Sequence, residues 1–213
     1  MTKGYFITFE GCEGSGKTTQ AEKLYSYLND KGYECILTHE PGGTKISEKI
    51  RNILLSKKNA TLFPMTELLL YLASRYQHTK EIIEPAVRRG KIVISDRYAD
   101  SSVAYQGAAR NISLEKVKKL NKIATDGLIP DITFLIDIEP EKGLQRLKGK
   151  DRIEIEELIF HKNVRECYLS MAEEDEQRIK ILDGNRSEKY IFSEILKILD
   201  LQPWFQKRLY QYM

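Results

Sequence analysis

Several things are scarce in these 213 residues. There are only three cysteines, Cys12, Cys35 and Cys167. An odd number without metal-type spacing argues against a disulfide framework and fits a reducing compartment. No apolar run approaches the roughly 20 residues that a membrane helix needs. The N-terminal "MTKGYFITFEG" enters a strand-like segment almost at once and lacks the layout of a signal peptide. Excess charge of one sign is also missing. With 34 basic and 31 acidic side chains the net charge is +3, too small to argue for a nucleic-acid partner. Internal repeats, low-complexity tracts and long linkers are absent too. The chain therefore reads as one cytoplasmic domain over residues 1–213, with neither a membrane nor a nucleic acid as partner.

What is present is an alternation. β-rich runs occur at 5–9, 34–39, 91–96, 131–137 and 179–182. Helical spacing lies between them: Ala21, Leu24, Tyr25 and Leu28; Ile46, Ile50, Ile53 and Leu54; a long region from Met65 to about Arg89, interrupted at most by Pro85; then 113–125, 140–147, 154–174 and 187–199. Apolar strands alternating with helices predict an α/β fold with a parallel sheet covered on both faces. In such sheets ligands sit at the strand C-termini. The informative motifs fall there: Glu10 to Thr18, His39 to Gly43, and Asp96 to Gly107.

The first of these, Gly11-Cys12-Glu13-Gly14-Ser15-Gly16-Lys17-Thr18, has the form G-x-x-x-x-G-K-[ST] between a strand and a helix. Glycines let backbone N–H groups turn inward around phosphate oxygens, and the helix N-terminus adds partial positive charge. Lys17 can reach β- and γ-phosphates, and the Thr18 hydroxyl can ligate Mg²⁺. Glu13 opposes the field of this loop. It either points to solvent or faces the acceptor molecule.

The stretch "VISDRYADSSVAYQGAAR" (93–110) supplies a second cluster. Asp96 stands at a strand end, where a carboxylate can approach Mg²⁺. Arg97 offers a planar fork for phosphate oxygens. The alternative is a structural Asp–Arg pair. Ser101, Ser102 and Gln106 can either bond a base edge or cap the next helix.

Taken in order, "FITFEGCEGSGKTTQ", "EPGGT", "LASR", "SDRYADSSVAYQG", "ATDGLIPDITFLID" and "DRIE" resemble the thymidylate kinases, which phosphorylate dTMP with ATP. The combination of "DRY…SSVAYQG" with "DGLIPD" carries most of the specificity. The resemblance implies the P-loop nucleoside-monophosphate-kinase fold, with a five-stranded parallel sheet in the order 2-3-1-4-5 and a homodimeric assembly. It implies that ATP, with Mg²⁺ held through Thr18 and Asp96, contacts Gly11, Glu13, Gly14, Ser15, Gly16, Lys17, Thr18 and Thr19. It implies a dTMP site of Glu13, Arg51, Tyr71, Arg75, Arg97, Ser102, Tyr105 and Gln106. In that assignment Tyr71 stacks on the thymine, Arg51 holds the acceptor phosphate, and Tyr105 crowds the sugar 2′ position. Lys17, Asp96 and Arg97 are the implied catalytic residues.

Two places are distinctive. Relatives often have arginine where this chain has His39, so a permanent charge and its fork are lost there. The basic segment "GLQRLKGKDRIE", with a lid placed at about 143–153, carries Arg146, Lys148, Lys150 and Arg152. No arginine follows Glu13 in the phosphate loop. The resemblance is therefore to the bacterial type, in which lid arginines bring charge to the ATP phosphates. Arg146 is the expected catalytic lid residue, and Arg152 is expected to contact ATP.

Overall fold

The computed structural model describes residues 4–149, 151–203 and 205. Five strands form on the five β-rich runs: β1 (Tyr5–Glu10), β2 (Cys35–His39), β3 (Ile92–Asp96), β4 (Ile132–Asp137) and β5 (Ile179–Asp183). They make one parallel sheet in the order β2-β3-β1-β4-β5. Both faces are covered, so the inner strands are apolar almost throughout. Alternate residues of β1 leave in opposite directions. Ile7 and Phe9 enter a core with Leu24 and Leu28 of α1 (Lys17–Asp30) and with Ile191, Ile195 and Leu199 of α9 (Glu188–Asp200). Phe6 packs on the other face against Ile83, Val87 and Tyr98. Burying each such side chain is worth about 1.5–3 kcal/mol.

Register decides what reaches the active edge. Phe9 and His39 both stand level with Asp96, and Glu10 stands level with Leu135. The strands therefore deliver the phosphate loop, the Glu40–Gly43 turn and the Arg97 segment to one line.

Two helical segments depart most from the sequence pattern. The long helix expected from 65 to 89 is α3 (Pro64–His78), then a wide π turn (Thr79–Ile83), then α4 (Glu84–Arg88). Pro85 lacks an N–H and its ring crowds the carbonyl of the preceding turn. The widened turn sits directly before it, as expected for relief of that crowding. The second is a helix that periodicity did not reveal, α5 (Ala99–Ser102) running into a π turn (Val103–Ala109). Val103, Ala104, Tyr105, Gln106 and Gly107 are all buried. A segment enclosed on all sides carries no apolar stripe to read. The remaining α-helices among the described residues are α2 (Lys45–Leu55), α6 (Leu114–Ala124), α7 (Pro140–Gln145) and α8 (Leu158–Glu174). The last begins four residues later than its pattern, because 154–157 form a turn. Among the described residues, no helix is long and apolar enough to cross a membrane.

Candidate active site

A cavity of about 850 Å³ opens along the strand C-termini. The phosphate loop forms one side. Helix α1 starts at Lys17 with Gly16 as its cap and with no side-chain bond to its first turn, so orphan N–H groups remain for an anion. The loop is held by close packing. A Cβ on Gly14 would stand 2.0 Å from the carbonyl oxygen of Gly143 in α7, so only glycine permits that approach. Lys17 is buried and donates to the Cys12 carbonyl at 2.8 Å. Burial and nearby Arg97 push its ammonium down from the usual lysine range, against the pull of Glu13 and Asp96. Thr18 donates to Asp96 at 2.5 Å, which brings two hard oxygen ligands together beside Lys17. Arg146 lies at the same end, bonded to the Gly14 and Gly184 carbonyls at 3.2 Å each.

Arg97 joins this loop to the rest of the cavity. Its backbone is left-handed, with φ of 71°, a conformation that costs a non-glycine residue about 1–2 kcal/mol. Local bonds hold it there: its N–H donates to the Phe9 carbonyl, and the Ser95 hydroxyl donates to the Arg97 carbonyl. The guanidinium donates to Gly11 O at 3.0 Å, Glu13 Oε1 at 2.6 Å and Tyr105 Oη at 3.0 Å. Tyr105 also donates to Glu13 at 2.8 Å. Burial pushes the Glu13 carboxyl up, but Arg97, Lys17 and the Tyr105 hydroxyl outweigh it and hold it at about 2. Glu13 is therefore directed inward and paired, not turned to solvent.

Arg51, Tyr71, Arg75, Tyr105 and Gln106 line the same cavity. Arg51 donates to the Pro41 carbonyl at 2.7 Å. Arg75 is only 1% exposed. It donates through Nε to Glu40 at 2.8 Å, through Nη1 to Ser102 at 2.9 Å and Asn121 at 2.7 Å, and through Nη2 to the Tyr98 carbonyl at 3.0 Å. His78 bonds Glu40 at 3.0 Å and Thr38 at 2.6 Å behind it. Gly43, with φ of +83°, rests against that His78–Thr38 pair. His39 bonds Glu48 at 2.8 Å, and the same Glu48 oxygen accepts from the Gly43 N–H. The imidazole and the Gly43 N–H thus share one carboxylate oxygen, which braces the turn.

Some expected residues stand elsewhere. Gly11, Ser15 and Ser102 are not among the residues that line the cavity; Ser102 sits behind it as an acceptor for Arg75. Arg152, expected on the ATP phosphates, is 4% exposed and not in the lining. It donates to the Leu54 carbonyl at 2.7 Å and pairs with Glu67 at 2.7 Å. A buried guanidinium goes to a buried carboxylate, and the nearest one is on α3. Lys150 lies outside the described residues.

Sequence reasoning missed two acidic residues. Glu10, 1% exposed, accepts from the Tyr98 N–H at 2.7 Å, Ser101 at 2.6 Å and Tyr168 at 2.7 Å, and so anchors the segment after Arg97. Burial and Asp100 raise its carboxyl to about 7, against Arg97 and the two hydroxyls. Glu67, wholly buried, was detectable: Glu67, Tyr71 and Arg75 are spaced by four and share one helix face. Burial also raises the Cys12 thiol to about 12, far from a reactive thiolate.

Comparison with known proteins identifies the family. The family model described as thymidylate kinase matches residues 9–195. A thymidylate kinase from Clostridium novyi (strain NT) is 47% identical over 200 residues, covering 92% of this chain and 98% of its own. One from Sulfurihydrogenibium sp. (strain YO3AOP1) is 53% identical over 182 residues, covering 85% and 89%. The crystal structure of thymidylate kinase from Ehrlichia chaffeensis superposes with a TM-score of 0.77 at 35% identity, covering 94% of this chain and all of that one. With a family model matched over residues 9–195 and relatives 47% and 53% identical over most of the chain, this chain belongs to the thymidylate kinase family.

Proposed function

We propose that this protein transfers the γ-phosphoryl group of ATP to the phosphate of dTMP, giving dTDP and ADP. One observation carries the reading: a single cavity holds the phosphate loop and the Arg51–Tyr71–Arg75 wall, and Arg97 touches both sides through Gly11, Glu13 and Tyr105. An acceptor phosphate oxygen attacks the γ-phosphorus in line, and the bond to the bridging oxygen of ADP breaks. The acceptor is already an anion, so no strong base is required. Positioning and charge neutralisation then supply the rate.

In this reading the α1 N-terminus and Lys17 hold the ATP phosphates, and Arg97 moves from Glu13 onto the phosphates in transit. Arg146 adds charge from a lid at about 143–153. The Thr18 hydroxyl and the Asp96 carboxylate suit Mg²⁺, which takes few protein oxygens and keeps phosphate and water ligands; bound there, it would offset charge on the phosphate oxygens. Arg51 takes the acceptor phosphate, Tyr71 faces the base, and Arg75 and Gln106 form its polar edge, with Ser102 holding Arg75 from behind. Tyr105 crowds the sugar. The reading extends to a cytoplasmic homodimer. Support for the dimer is exposed apolar residues at seven-residue spacing on each of two packed helices, Ile46 and Ile53 on α2 and Leu69 and Tyr76 on α3.

The test is ADP release from Mg-ATP with dTMP, dUMP, UMP, dCMP, dGMP or no acceptor. A rate led by dTMP is expected. Another leading monophosphate would overturn the acceptor assignment. A rate independent of acceptor would make the protein a nucleotide hydrolase or switch, a reading already weakened by the lack of an N-K-x-D guanine signature.

A further inference from the structure

Glu67 does more than balance charge. Its carboxylate accepts from Gln106 Nε2 at 2.8 Å and from Arg110 Nε and Nη2 at 3.3 Å each, and Arg152 Nη2 lies 2.7 Å away. All these partners are donors. A glutamine amide has two orientations of nearly equal shape, and only its partners decide between them. Here Glu67 demands the NH₂ group. The Gln106 carbonyl oxygen is therefore turned to the cavity that this residue lines.

Arg75 is constrained in the complementary sense. Of its five N–H groups, Nε goes to Glu40, both on Nη1 go to Ser102 and Asn121, and one on Nη2 goes to Tyr98 O. A single Nη2 hydrogen is left for a ligand. The wall thus presents one acceptor, from Gln106, and one donor, from Arg75. A pyrimidine with a 4-carbonyl beside an N3–H matches that pair. Cytosine offers an amino group beside a bare N3, the reverse pattern.

We infer that Glu67 is a specificity-determining positioning residue, which makes the site select 4-oxo pyrimidines by holding the Gln106 amide in one orientation. This rests on the proposed dTMP acceptor. A purely structural Glu67, present only to pair Arg110 and Arg152, would affect stability without affecting which base is chosen.

The test is kcat/KM for dTMP, dUMP and dCMP in the wild type, Glu67→Gln and Gln106→Leu. The dUMP/dCMP ratio isolates the ring edge, because neither base has a 5-methyl group. Gln at 67 can offer oxygen or nitrogen, so the Gln106 amide is free to turn. The dUMP/dCMP preference is expected to fall about tenfold to a hundredfold, the scale of one mispaired hydrogen-bonding edge. The change should lie mainly in KM, with dCMP gaining. Gln106→Leu should lose the preference through weaker dUMP binding, without a gain for dCMP. An unchanged ratio in either variant, or equal losses for all three substrates in Glu67→Gln, overturns the inference. If Glu67→Gln does not fold, Glu67→Gln/Arg110→Gln removes one charge of each sign and is judged by the same ratio. A wild type without dTMP-dependent ADP release overturns the function and this inference together. A dTMP-selective wild type whose variants keep its ratios overturns the inference alone.

Discussion

Glu10→Gln gives the most quantitative check on the site's electrostatics. The carboxyl is buried at the end of β1, and its pKa stands near 7 instead of 4.5. A raised carboxyl pKa means that the folded state keeps a proton which the unfolded chain has released. Stability then falls as pH rises from about 4.5 through about 7, and the loss is complete above that window. At about 1.4 kcal/mol per pH unit, the gap amounts to about 3 kcal/mol. Glutamine is close to isosteric here. Its Oε1 can keep the Tyr98 N–H, and its Nε2 can donate to the Ser101 and Tyr168 oxygens once those hydroxyls turn. It does not ionise. Urea unfolding followed by circular dichroism at pH 4 and pH 8 should therefore show a wild-type-minus-variant difference that moves by about 3 kcal/mol in favour of the variant at pH 8. Parallel pH profiles for the two proteins would refute a raised Glu10 pKa and the electrostatic account of this loop.

Other expectations follow from the same contacts. Arg97→Ala should lower turnover roughly 10³-fold while leaving ATP affinity within about threefold; single-turnover rates and nucleotide binding separate the two, and normal turnover would remove Arg97 from the mechanism. Tyr105→Ala should relax discrimination between dUMP and UMP, whereas Tyr105→Phe keeps the ring, loses the Glu13 bond and should reduce kcat alone, by about tenfold or less; an unchanged preference in Tyr105→Ala would sink the sugar assignment. Gly43→Ala places a Cβ 2.5 Å from His78 Nε2 at a φ of +83° and should destabilise the fold by about 2 kcal/mol or more, visible as a lower thermal midpoint. Chelation of Mg²⁺ with EDTA should abolish ADP release, and excess Mg²⁺ should restore it.

Local rules made much of this protein legible in its sequence. Strand existence and the parallel sheet follow from apolar runs alternating with helical spacing, and the phosphate loop from glycines next to Lys17-Thr18. Those are properties of contiguous residues. The tertiary structure decided the rest. The Val103–Ala109 turn escaped notice because a segment buried on every side has no periodicity. Glu13 was ambiguous until Arg97 and Tyr105, more than 80 residues away in the chain, closed on it. Arg152 reads as a lid cation, yet it lies under the surface, because its partner Glu67 is supplied by a distant helix. Charge identity is written in the sequence. The partner that a charge meets is set by which elements the sheet order and the strand register bring together.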